Sequence, residues 1–61
     1  MIKATIEPQG KGFSAEIREY IEPLDRWDII AACHDTNQSY IHKWLWSHGV
    51  KYQDITLMPE K

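Results

Sequence analysis

The chain has little of what usually identifies a class. Its 61 residues include one cysteine, Cys33, so an internal disulfide is excluded, and with it a stapled secreted mini-protein; a reducing, cytoplasmic setting is expected. Its longest uninterrupted apolar run spans residues 29–33. That is far below the ~20 residues of a spanning helix, and no membrane association is expected. Residues 1–8 carry no apolar signal region and no cleavage-site pattern, so nothing suggests export. Glycine and proline number three each, and repeats, linkers and low-complexity segments are missing, which predicts a single small domain over residues 1–61. A domain of this size buries only about 60% of its unfolded surface, so an enclosed catalytic cavity would compete with the core for the same side chains. A non-enzymatic protein is expected.

What is present is a chain that folds, 43% hydrophobic and 26% charged. Ile2, Ala4 and Ile6 alternate with Lys3, Thr5 and Glu7; Phe13, Ala15 and Ile17 alternate with Ser14, Glu16 and Arg18. Two such runs around the loop at residues 8–12 predict an antiparallel hairpin. Glu22, Pro23 and Asp25 resemble a helix start, followed by Leu24, Trp27, Ile30, Ala31 and His34 at helical spacing. After a break at residues 34–37, Thr36 or Asn37 caps a second helix containing Tyr40, Ile41, Trp44, Leu45 and His48, with Gly49 at its end. A single bent helix is the alternative. Residues 50–58 read as a third strand with a bulge or turn near Gln53 and Asp54, and residues 59–61 should fray. The predicted fold is α+β, in the order ββααβ: a small single-layer antiparallel sheet, made of the hairpin plus a C-terminal strand, covered by one bent or two short helices.

Several patterns bear on chemistry. Cys33, His34, His42 and His48 are residue types that bind zinc or activate a thiol. Two close ligand pairs are lacking, however, and no metal or other cofactor is expected; Cys33 reads as a small buried hydrophobe. The acids do not sit in apolar runs, apart from Asp28, which is placed on the polar side of its helix, and solvated carboxylates are the better reading. Gly10-Lys11-Gly12 lacks the Gly-Lys-Ser/Thr ending of a phosphate-binding loop and precedes a strand, so it reads as a hairpin turn. A helix-turn-helix DNA-binding regulator is the rival to a protein-binding role. Residues 24–48 hold Asp25, Asp28 and Asp35 against Arg26 and Lys43, and that balance disfavours direct nucleic-acid binding.

The most unusual feature is an acid at every third position: Glu16, Glu19, Glu22, Asp25 and Asp28. Residues 16–35 carry a net charge of minus four, while residues 1–15 and 36–61 are each plus one. Such a patch suits either a solvated face or a protein partner with a basic surface, including one that holds nucleic acid. Tyr20, Trp46 and His42 are candidate contacts, with Trp46 projecting off the apolar stripe beside His42. No stretch carries a family signature. In size, acidity and lack of a catalytic motif the chain resembles the small inhibitors that phages and mobile elements make against host machinery, anti-CRISPR proteins included. That resemblance implies an inhibitor that occupies a partner's surface. A monomer or a homodimer is expected, an apolar sheet face left uncovered favouring the homodimer.

Overall fold

Alternation in the first twenty residues becomes a long hairpin. The computed structural model describes residues 1–58, with strand β1 (Ile2–Gln9) antiparallel to strand β2 (Gly12–Ile21). Pairing runs from Ile2 opposite Glu19 to Gln9 opposite Gly12, so the expected five-residue loop contracts to Gly10 and Lys11. Gly10 takes φ +61 while Lys11 does not turn positive, the sign pattern of a type II′ turn, which needs glycine first.

The largest correction concerns the predicted first helix. Residues that were to form it are instead strand β3 (Arg26–Asp35), antiparallel to β2 from Phe13 opposite Asp35 to Ile21 opposite Arg26. The helix-start signal at Glu22 and Pro23 is used by one 3-10 turn, Glu22–Leu24. Two causes favour the strand. β2 has a second row of backbone groups that need partners, and β3 supplies them along its length. The register also shifts at Ile30, and a bulge moves the alternation by one residue, so apolar positions on either side of it imitate a helical period. Neither two helices nor one bent helix forms, and the geometry of a helix-turn-helix is not present among the described residues.

The second predicted helix is found as α1 (Gln38–Ser47). Asn37 caps it: its Oδ1 accepts from the Ser39 N–H at 2.9 Å, and the Asp35 carboxylate accepts the Asn37 N–H at 2.8 Å. At the other end the Val50 N–H bonds the Leu45 carbonyl at 3.1 Å and the Gly49 N–H bonds that of Trp46 at 3.0 Å, with Gly49 at φ +81. This paired closure brings Val50 back against Leu45, and both are buried. A 3-10 turn at Tyr52–Asp54 then stands where a turn was expected, and strand β4 (Ile55–Leu57) is shorter than the 50–58 prediction. β4 runs parallel to β1, so the sheet is mixed, not antiparallel, with order β3-β2-β1-β4. The fold is α+β with four strands and one α-helix among the described residues, in the order βββαβ. The expected fraying of residues 59–61 lies outside them. No helix of the described residues is long and apolar enough to cross a membrane.

One face of the sheet, Ala4, Ile6, Ala15 and Ile17, is sealed by Ile41, Leu45 and Val50. Trp44 is half-buried at the margin of this cluster and Trp46 is 81% exposed. In urea titrations Leu45→Ala is expected to cost about 2–5 kcal/mol, as for a fully buried aliphatic truncation. Trp46→Ala should stay within about 0.5 kcal/mol of the parent, the range of an exposed substitution. Equal losses would contradict this placement of the helix faces.

Candidate functional site

The connection between β2 and β3 is a tight acidic corner. Pro23 fixes the 3-10 turn, Asp25 adopts the left-handed region at φ 50, and the Asp25 N–H bonds the Glu22 carbonyl at 3.2 Å. The Tyr20 hydroxyl donates to the Asp25 carboxylate, tying the last residues of β2 to the turn. That bond, with a smaller contribution from burial, raises the Tyr20 phenol above its ordinary value. Tyr20 packs on Trp27 with ring centroids 5.4 Å apart, and Lys3 Nζ lies 5.2 Å from the Trp27 ring centre.

Around this corner the row of acids divides. Glu19 stands directly opposite Asp28 across the two strands, and Glu22 and Asp25 belong to the turn. Arg26 meets Asp28 at 2.9 Å and offsets part of the repulsion between the facing carboxylates. Residues 19–28 therefore hold four acids against one arginine, net minus three, while the rest of the chain sums to plus one. Glu16 is not part of this group. Strand alternation puts it on the other face of β2, where Arg18 lies 3.5 Å away and also donates to Thr5 Oγ1 at 3.2 Å.

Two residues at the corner were misread from the sequence. The helical spacing puts Leu24 and Trp27 on a buried stripe, but they are 57% and 38% exposed, Leu24 in the acidic turn and Trp27 with Tyr20 on the face opposite Glu19 and Asp28. The alternation of Trp27, Asp28 and Ile29 just after a proline turn was the signal for a strand that displays them. His42 and Trp46 lie elsewhere, on α1. With Lys43, Val50, Tyr52 and Ile55 they line a groove of about 400 Å³. It opens between the helix and the segment leading into β4, whereas the corner adjoins β3, the opposite edge of the sheet.

The cysteine and histidines are dispersed by the same alternation. Cys33 pairs with Ala15 and packs against the core, while His34, its neighbour, is exposed on the other face. His48 rests on Trp44 at 4.7 Å between ring centroids, with its Nδ1–H donating to the Trp44 carbonyl at 2.9 Å. Among the described residues no group of three or more His, Cys, Asp or Glu is placed to hold a metal ion.

Burial pushes the Cys33 thiol up, and the Asp35 carboxylate adds to the shift. Less thiolate is then present at neutral pH, and the thiolate is the reactive form. Iodoacetamide should modify Cys33 more slowly in the folded chain than in the urea-unfolded chain, with a rate profile displaced to higher pH. A folded profile at or below the unfolded one would refute that account. No family model matches the chain, and neither does any curated protein or solved structure.

Proposed function

We propose that the chain is a non-enzymatic interaction module of the inhibitor kind, which sets its β2–β3 corner against a basic surface of a protein partner. The observation that supports this most is the gathering of Glu19, Glu22, Asp25 and Asp28 around one short turn. Fixed negative charge accelerates encounter with a basic surface and disfavours phosphate-bearing partners. Leu24 supplies apolar area in the turn itself, and Trp27 and Tyr20 add aromatic area at the same end of the sheet on the face opposite Glu19 and Asp28, since desolvated aromatic contacts hold an interface that charge alone only steers. Pro23 and the bond from Tyr20 to Asp25 hold the turn in shape before binding, which lowers the ordering cost. The interface comprises Glu19, Tyr20, Glu22, Leu24, Asp25, Trp27 and Asp28. Glu16, His42 and Trp46 stand outside it. A cytoplasmic setting accords with a single unpaired cysteine and with a partner built to hold nucleic acid.

The test reverses two charges, Glu19 and Glu22, whose carboxylates make no hydrogen bond or ion pair among the described residues. Glu19→Lys with Glu22→Lys should leave the circular dichroism spectrum intact, because Glu22 is exposed and Glu19, opposite Asp28, exchanges a repulsive cross-strand pair for an attractive one. Affinity capture from a host lysate with parent and variant in parallel yields the partner, whose kinetics are then followed at two salt concentrations. Association should slow by about tenfold or more in the variant, with little change in dissociation, the pattern of charges that act on encounter. Equal association rates at low salt would remove the corner from the interface. A salt-sensitive shift of duplex DNA by the parent protein would favour a nucleic-acid role instead.

A further inference from the structure

β3 is the outermost strand of the sheet, with no strand beyond it among the described residues. An edge of this kind carries free backbone donors and acceptors, and the pairing on its inner side determines which residues own them. The Tyr20 N–H bonds the Met1 carbonyl at 3.1 Å, next to the pair Ile2 and Glu19. Even-numbered residues of β2 therefore turn their backbone toward β1, and odd-numbered ones toward β3. Through the β2–β3 register, Arg26, Asp28, Ala31, Cys33 and Asp35 bond to β2. Trp27, Ile29, Ala32 and His34 face outward with their N–H and C=O groups, and all four residues are exposed.

Because Ile30 is the extra residue of the bulge, the outward positions are 27, 29, 32 and 34, a pattern that reads the same in both directions. We infer that this edge is the interface of a symmetric homodimer. In it β3 pairs antiparallel with the β3 of a second copy about a two-fold axis between Ile30 and Ala31. Trp27 then meets the partner's His34, and Ile29 meets the partner's Ala32. Every outward N–H and C=O at these positions finds a mate. A slip of two residues sets an outward residue against an inward one across the bulge, so one register is specified.

Side chains agree with that register. Arg26 falls opposite the partner's Asp35 at both ends, an attractive pair made twice by symmetry. Ile29 opposite Ala32 sets large against small on the other face. Residues 29–33 include no charge, lysine or proline, the usual devices that stop an edge from pairing. A bulge commonly turns an edge away, but here it lies on the axis, where each copy's bulge meets the other's. The opposite edge, β4, is three residues long and offers no comparable template.

This inference does not rest on the proposed corner interface, with which it shares Trp27 and Asp28, and its test reads mass and covalent linkage, not partner binding. In light scattering over a concentration series up to the millimolar range, the parent should rise toward twice the chain mass of 7.2 kDa. Ala32→Pro removes one outward N–H that β2 does not use, and should return the mass to that of a single chain with an unchanged dichroism spectrum. Register is tested by Asp28→Cys, which sets its new thiol opposite the partner's Cys33 at the close spacing of a non-hydrogen-bonded pair. Within one chain those positions are about 17 Å apart along the strand and cannot bridge. Mild oxidation should give a covalent dimer from Asp28→Cys, little from the parent, and little once Ala32→Pro is added; this supports the register even where parent association is weak. Absence of that covalent dimer, or its formation regardless of Ala32→Pro, overturns the inference.

Discussion

A ten-residue strand in the middle of a small sheet has to satisfy backbone groups on both of its sides, and in this chain β2 is that strand. β1 takes one side through a two-residue turn, and β3 takes the other through the corner at Glu22–Leu24. The rest of the architecture follows from that arrangement. With residues 26–35 used as a strand, one helix is left to cover one face, and it seals the sheet where Ala4, Ile6, Ala15 and Ile17 line up beneath Ile41 and Leu45. The other face stays wet, which is why it carries Thr5, Glu16 and Arg18 in mutual contact instead of an apolar row.

The same pairing brings Glu19 and Asp28 face to face. Like charges directly opposite each other on paired strands destabilise, and at this position Arg26 offers only partial relief. The corner is kept in place by contacts that do not involve the facing carboxylates: the proline turn, the Tyr20 bond to Asp25, and the packing of Tyr20 on Trp27. Charge held under mutual repulsion by a rigid turn gains from meeting a cation of any origin. This physical preference underlies the proposed basic partner, and it distinguishes the corner from Glu16, whose charge is already matched by Arg18.

How much of this was legible in the sequence depended on whether the deciding interaction was local. The hairpin was legible because alternation and a glycine turn are neighbours in sequence, and α1 because Asn37 and Gly49 act within a turn of the helix they bound. β3 was not legible. Its bulge at Ile30 breaks the alternation that would have revealed it, and its partner strand, rather than its own propensity, decides its conformation. The parallel pairing of β4 with β1 joins residues some fifty positions apart, and no local feature of residues 55–57 encodes its direction. For the site, the acids were identified and their gathering at residues 19–28 was anticipated. The helical reading turns Leu24 and Trp27 inward, whereas both are exposed, and the spacing groups Glu16 with Glu19 and Asp28, which the pleat places on the opposite face.

The corner and the open edge belong to one strand, and that connects the two proposals. In the inferred dimer Arg26 has two carboxylates to serve, Asp28 of its own chain and the partner's Asp35. To the extent that it turns to the partner, Asp28 is left less neutralised and the corner becomes more negative. The two-fold axis also sets the two corners at opposite ends of the paired strands, separated by roughly 30 Å for ten residues of extended chain. A basic surface long enough to reach both would bind them as linked sites, and linkage raises avidity without any new contact. A shorter surface would engage one corner and gain nothing from the second. The length of the partner's basic surface, more than its charge density, would then decide whether dimerisation strengthens binding.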